Sequence, residues 1–170
     1  VDLALAGFAD LMRVFPEVQW SEDMGESGPE VYRSHRKVVR EAVGVVAAIT
    51  PWNAPLYINV GKVVAALLAG CTVVLKPAPD TPGLASIFGE LASEAGFPAG
   101  VLNVVFGSDP AMAGEMLVDD PRIDLISFTG STAAGEHIAA VVSARSGRVT
   151  TELGGKSAFI VLDDADIGKV

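Results

Sequence analysis

The stretch that decides the fold reads Val43-Gly44-Val45-Val46-Ala47-Ala48-Ile49-Thr50-Pro51-Trp52-Asn53. Its first part, Val43–Ile49, is apolar without alternation, the pattern of a strand buried on both faces. A loop of turn-forming residues follows at once. The same unit recurs downstream: Thr72–Leu75, Val101–Phe106, Ile123–Phe128 and Arg148–Thr151 read as further short strands. Helical periodicity fills the gaps at about 57–69, 82–95, 110–118 and 132–145, and Gly70 and Gly96 stand where helix-ending glycines belong. Strands alternating with helices of this length predict an α/β fold, a parallel sheet with helices on both faces.

Upstream of this rhythm the chain is different in kind. Leu3, Phe8, Leu11, Met12 and Phe15 recur at helical spacing, so residues 3–15 predict an amphipathic helix. Residues 21–30 are polar, with Gly25, Gly28 and Pro29, and read as a loop. Val31–Val39 carries several charges and reads as an exposed strand, an arm outside the core or a solvated edge.

Composition narrows the function. Half of the 170 residues are hydrophobic, enough for one domain with a real core. A formal charge of −9 argues against nonspecific nucleic-acid binding, which needs a basic surface. The apolar run Val63–Leu75 is shorter than the roughly 20 residues that span a bilayer. Cys71 is the single cysteine, which rules out an internal disulfide. With no secretory signal in view, the expectation is a cytoplasmic protein without membrane association. His35 and His137 lack partners at metal-ligand spacing, so no metal site is expected. Cys71 itself, set in an apolar run, reads as a buried, unreactive thiol.

After each strand comes a loop of unusual chemistry: Thr50–Asn53, Lys76–Pro79, Gly107-Ser108, Thr129–Thr132 and Leu153–Gly155. In a parallel sheet these gather at the carboxyl edge, where open α/β sheets bind ligands. Two nucleotide motifs fail there. Gly155-Lys156-Ser157 ends like a phosphate loop, but Thr150 stands where its first glycine belongs; Gly130 and Gly135 have the right separation, but Glu136 replaces the lysine. The Gly-x-Gly-x-x-Gly fingerprint is absent. Any dinucleotide site must therefore be built another way.

Thr50-Pro51-Trp52-Asn53, Leu75-Lys76-Pro77-Ala78, Phe128-Thr129-Gly130-Ser131-Thr132 and Glu152-Leu153-Gly154-Gly155-Lys156 occur in this order. Together they resemble the aldehyde dehydrogenase superfamily over roughly residues 31 to 170. The resemblance implies a variant Rossmann-like fold without the glycine fingerprint and NAD or NADP as cofactor. It also implies oxidation of an aldehyde substrate to a carboxylic acid through a covalent thioester, and a homo-oligomer. By the same resemblance residues 1–30 are an N-terminal helix and loop, 31–42 an oligomerisation arm, 43–155 the dinucleotide-binding domain and 156–170 the start of a catalytic domain. The family's nucleophilic cysteine lies beyond Val170, so the 170-residue chain alone is expected to show no turnover.

The resemblance assigns roles residue by residue. Asn53 corresponds to the oxyanion donor, against the plain reading of an asparagine that stabilises its turn. Glu152 corresponds to the base that activates water on the thioester, against a merely solvated glutamate. Lys62 is similar to a lysine near the active site, its ordinary reading being a snorkelling side chain. Lys76 corresponds to the lysine that meets the adenosine ribose or an added phosphate. At Pro79 many members carry a glutamate that grips the ribose hydroxyls; proline has no acceptor, so NAD and NADP both stay open. Gly130 and Ser131 open a helix that can receive a phosphate, or Ser131 is a simple cap. Ile49, Thr50, Pro51, Trp52, Ala78, Gly107, Phe128 and Leu153 complete the implied cofactor site, though strand-end hydrophobics are more often core. Competing readings are a coenzyme A-acylating relative, against which Glu152 argues, a catalytically silent nucleotide binder, and an interaction protein using Val31–Val39.

Overall fold

The computed structural model describes residues 1–169; Val170, the last residue of the expected C-terminal unit, lies outside them. Helix α1 (Asp2–Val14) forms where the apolar spacing placed it. It leads to a two-stranded antiparallel ribbon of β1 (Ser21–Ser27) and β2 (Ser34–Val39). Here the sequence expectation needs correction, because residues 21–27 are a strand and not a loop. Nothing apolar drives β1; it exists through its ladder with β2, which a reading of local periodicity does not register. The register shifts between Asp23 and Gly25, where the Asp23 carboxylate accepts from the Gly25 amide at 2.8 Å. β2 begins at Ser34, later than expected, because Glu30–Tyr32 form a 3-10 turn after Pro29.

The remaining strands are β3 (Val45–Ile49), β4 (Thr72–Lys76), β5 (Leu102–Val104), β6 (Leu125–Thr129) and β7 (Arg148–Glu152). All pair in parallel, in the order β5-β4-β3-β6-β7. Counted in chain order among themselves, this is 3-2-1-4-5, the arrangement of a dinucleotide-binding sheet. The chain starts in the middle, works outward through β4 and β5, then returns to the other side of β3. That reversal makes the ends of β3 and β6 the switch point, the place where open α/β sheets bind their ligands.

Alternation along β3 explains why the sheet is covered twice. Ala47 and Ile49 enter one core with Ile126, Phe128, Val118, Ile138 and Val142. Val46 and Ala48 enter another with Val63, Cys71, Val73, Leu75 and Ala85. The first is roofed by α5 (Pro110–Asp119) and α6 (Thr132–Ala144). The second is roofed by α4 (Pro82–Glu94) and by a helix in three pieces. These pieces are α2 (Pro55–Asn59), a π turn (Val60–Val64) and α3 (Ala65–Leu68). Cys71 is 5% exposed in the second core, an inert position for a thiol.

Helix ends follow local chemistry. Pro55, Pro82 and Pro110 occupy first-turn positions, where a missing N–H costs nothing. Gly70 and Gly96 take φ of 82° and 76°, letting Cys71 and Phe97 donate back to Ala66 and Ala92. Beyond Glu152 no strand or α-helix forms among the described residues, and Phe159, Ile160 and Leu162 are largely exposed. No helix among the described residues is long and apolar enough to cross a membrane, and no group of three or more His, Cys, Asp or Glu side chains there could hold a metal.

Candidate active site and cofactor cleft

Parallel register carries the expected site residues to one edge. Lys76, Ile49 and Phe128 share a cross-strand row, since Ile49 is opposite Lys76 on one side and Phe128 on the other. The next row pairs Thr129 with Glu152, and the Gly130 amide donates to the Glu152 carbonyl at 3.1 Å. Asn53 lies in the loop after β3, at the same carboxyl edge, separated from Glu152 by β6. Both side chains are exposed. Ile49 and Phe128 serve as core residues beneath the edge, as their burial of 7% and 6% exposure shows.

One cluster lies on the face under the helix that follows β3. The Lys62 ammonium, in the π turn, donates to the Ser127 hydroxyl at 2.9 Å. Thr150 donates to the same oxygen at 3.2 Å. Burial lowers the Lys62 pKa, and the negative charge of Glu152 partly restores it. Because side chains alternate along a strand, Thr150 and Glu152 share a face of β7. Lys62, Ser127, Thr150 and Glu152 thus form a polar floor, and the helix carrying Lys62 begins directly after Asn53. π turns recur at functional positions, and this one holds the lysine that joins helix to sheet.

A second feature opens at the ends of β4 and β5. A cleft of about 180 Å³ is lined by Lys76, Pro77, Pro79, Pro82, Phe106, Gly107 and Pro110. Ligand pockets usually measure about 300–1,000 Å³, so this one fits an end of a dinucleotide and not the whole. Lys76 is only 7% exposed, and desolvation lowers its pKa. A Cβ added to Gly107 would stand 2.6 Å from the Ala113 side chain and 2.9 Å from the Asp109 carbonyl, so only glycine fits. A buried ammonium in a glycine-floored cleft is a place where an anionic group would complete the lysine's hydrogen bonds.

Other expected residues have clear places. Thr50 is buried, its amide donating to the Lys76 carbonyl at 3.1 Å, while its hydroxyl has no partner among the described residues. Pro51 is half-buried and Trp52 is exposed. Ala78 is buried, and Pro79 is on the cleft wall. Ser131 caps α6, its Oγ accepting from the Ala134 amide at 3.3 Å. Leu153 packs so tightly on Gly135 of α6 that a Cβ there would overlap it. Gly130 lies over the Phe128 ring, where a Cβ would come within 2.5 Å.

Sequence reading missed Ser127, Thr150, Phe106, Pro82 and Pro110. Ser127 had a signal: a hydroxyl between buried Ile126 and Phe128 demands a polar partner. The two prolines read only as helix starts, and their place on a cleft wall depends on how α4 and α5 dock.

The strand order, with a lysine-lined cleft at β4 and a polar cluster at β7, is that of a dinucleotide-binding fold, here without the usual glycine fingerprint. A sequence model of the aldehyde dehydrogenase family matches residues 3–170, and the chain belongs to that family. It is 48% identical over 132 residues to the succinate-semialdehyde dehydrogenase [NADP(+)] GabD of Escherichia coli, covering 78% of this chain and 27% of that protein. It is 48% identical over 145 residues to a chloroplastic betaine aldehyde dehydrogenase of Beta vulgaris, covering 83% and 28%. Among solved structures, a Mycobacterium tuberculosis aldehyde dehydrogenase complexed with NAD+ superposes with a TM-score of 0.81 at 42% identity, covering 98% of this chain and 32% of that one. The chain therefore spans only about a quarter of the curated relatives it matches.

Proposed function

We propose that the full-length protein oxidises an aldehyde to a carboxylic acid with NAD or NADP, and that this chain carries its cofactor domain. The observation that carries this reading is the Lys62–Ser127 bond, which seats a cation beside Glu152 on the helix that Asn53 leads into. When bound, the nicotinamide would accept the hydride that the thiolate adduct of the aldehyde must lose to become a thioester. Lys76 and the Gly107 turn would hold the nucleotide end, and the amides at the start of α6 would receive a phosphate.

Within that chemistry the chain's own residues have separable tasks. A thiolate from the part of the protein beyond residue 170 adds to the aldehyde carbon, and the carbonyl electron pair moves to oxygen. The Asn53 amide donates to that oxygen. Glu152 takes a proton from the water that later cleaves the thioester, which returns the thiolate and releases the acid. Lys62 keeps positive charge beneath the Glu152 carboxylate.

Residues 43–155 form the cofactor domain in this reading, and the chain from 156 enters a catalytic domain that covers the exposed Phe159, Ile160 and Leu162. The ribbon of β1 and β2 serves as an assembly arm in a homo-oligomer; a lone two-stranded ribbon with β2 exposed throughout is marginal by itself. The unpaired, buried Cys71 suits a reducing compartment such as the cytoplasm. The test is reduced-nicotinamide formation by the full-length protein over a panel of aldehydes, with and without coenzyme A. Acid-forming turnover independent of coenzyme A supports the reading; strict dependence on it, or no turnover with any aldehyde, sinks it.

A further inference from the structure

We propose that Ser127 is a positioning residue, whose hydroxyl tethers the Lys62 ammonium one row beneath Glu152 and keeps it from pairing with the carboxylate. This rests on the dehydrogenase reading above and goes further, naming a residue that keeps the base free for its task.

The first ground is the sheet register. On the face under the helix after β3, Ala48, Ser127 and Thr150 stand side by side in one cross-strand row. Thr129 and Glu152 form the next row on that face, about 7 Å nearer the carboxyl edge. Lys62 reaches into the lower row and donates to Ser127 Oγ at 2.9 Å. Among the described residues it forms no ion pair with Glu152, yet the charge of that carboxylate acts on the ammonium.

The second ground is the chemistry of the tether. Ser127 lies between buried Ile126 and Phe128, where a hydroxyl needs partners. A hydroxyl oxygen offers two acceptor sites, and here both are filled, by Lys62 and by Thr150 at 3.2 Å. The ammonium has no other hydrogen bond among the described residues, so the serine sets where its charge rests.

The third ground is what a released ammonium would meet. Glu152 is the one charge that acts on Lys62. β3 and β6 present no charged side chain on this face, and Lys76 faces the other way, since its neighbour Leu75 enters the second core. Arg148 stands at the far end of β7. Glu90 and Glu94 of α4 are exposed, as are Asp2, Asp10 and Arg13 of α1, the last two bonded to each other. A carboxylate bound directly by an ammonium gives up lone pairs and proton affinity. Pairing would therefore blunt the step in which water loses a proton to Glu152 while its oxygen attacks the thioester carbon. The C–S bond then breaks, and sulfur leaves with the electron pair. Hydride transfer precedes this step and does not use Glu152 as base, so deacylation alone should depend on the tether.

The experiment is stopped-flow measurement of reduced-nicotinamide formation by the full-length protein, with acid release followed in parallel. In Ser127→Ala deacylation should slow by about tenfold. A stoichiometric burst of reduced nicotinamide should precede the slower steady turnover, with the hydride-transfer rate unchanged. In a Lys62→Met background the same substitution should leave deacylation as it is, a non-additivity that general loss of structure does not produce. Ser127→Thr, which keeps the hydroxyl, should retain the wild-type deacylation rate. A crystal structure of Ser127→Ala should show Lys62 Nζ within about 4 Å of the Glu152 carboxylate. Should Ser127→Ala fail to fold, Ser127→Cys, a weak acceptor of similar size, takes its place. Unchanged deacylation, or equal slowing with and without Lys62, overturns the proposal and leaves the dehydrogenase reading intact; absence of aldehyde turnover by the wild type overturns both.

Discussion

The Lys62 ammonium and the Ser127 hydroxyl meet at 2.9 Å although 65 residues separate them in the chain. The bond joins the helix after the central strand to the neighbouring strand that the chain reaches only after two further crossovers. It also sets a half-buried cation beside Glu152. The cleft lined by Lys76 lies on the other side of the central strand, so the two features flank the point where strand order reverses.

Lys62 should make stability depend on pH in a particular direction. Burial lowers its pKa in the folded state, so the unfolded chain binds more protons between that lowered value and the ordinary 10.5. Stability contributed at this position therefore rises as pH climbs through that window and is at its lowest below it. Urea midpoints of the full-length wild type and Lys62→Met, compared across alkaline pH, should show the wild type gaining on the variant. A constant difference would mean that Lys62 is not desolvated.

Asn53→Ala should act on chemistry and leave the fold alone. The side chain is exposed, so the stability change should stay within about 0.5 kcal/mol. Loss of an oxyanion donor should lower kcat by roughly 10²–10³-fold. Steady-state kinetics with thermal melting check both; a large fall in Tm with kcat preserved would make Asn53 a turn residue only.

Gly107→Ala tests the cleft floor. The added methyl meets Ala113 and the Asp109 carbonyl, neither of which can yield without moving the start of α5. The expected cost is about 1–3 kcal/mol, accompanied by weaker nucleotide binding. Urea unfolding and calorimetry would show the pair of effects together.

Asp109→Ala removes the cap of α5, whose first amides lose their acceptor. Destabilisation of about 0.5–2 kcal/mol is expected. Because the freed helix end borders the cleft, affinity for 2′,5′-ADP should hold or rise even as Tm falls. Parallel loss of both would argue that the cap shapes the cleft instead of merely neutralising it.

Much of this was legible in the chain of residues alone. Unbroken apolar segments such as Val45–Ile49 must be covered on both sides, and helices of fitting length separate them, so a parallel α/β sheet with a loop-built edge follows from periodicity. The motifs around Asn53, Lys76, Ser131 and Glu152 marked that edge because each stands at the end of a strand or just after one. Tertiary structure decided what local pattern cannot carry. Ser21–Ser27 is a strand only because β2 lies beside it, since a polar segment has no burial preference to reveal its state. The strand order, the seating of Lys62 against Ser127, and the wall of prolines around Lys76 all depend on which crossover packs on which face. Those are contacts between distant residues, and hydrophobic spacing constrains each element's inward face without saying what it will meet there.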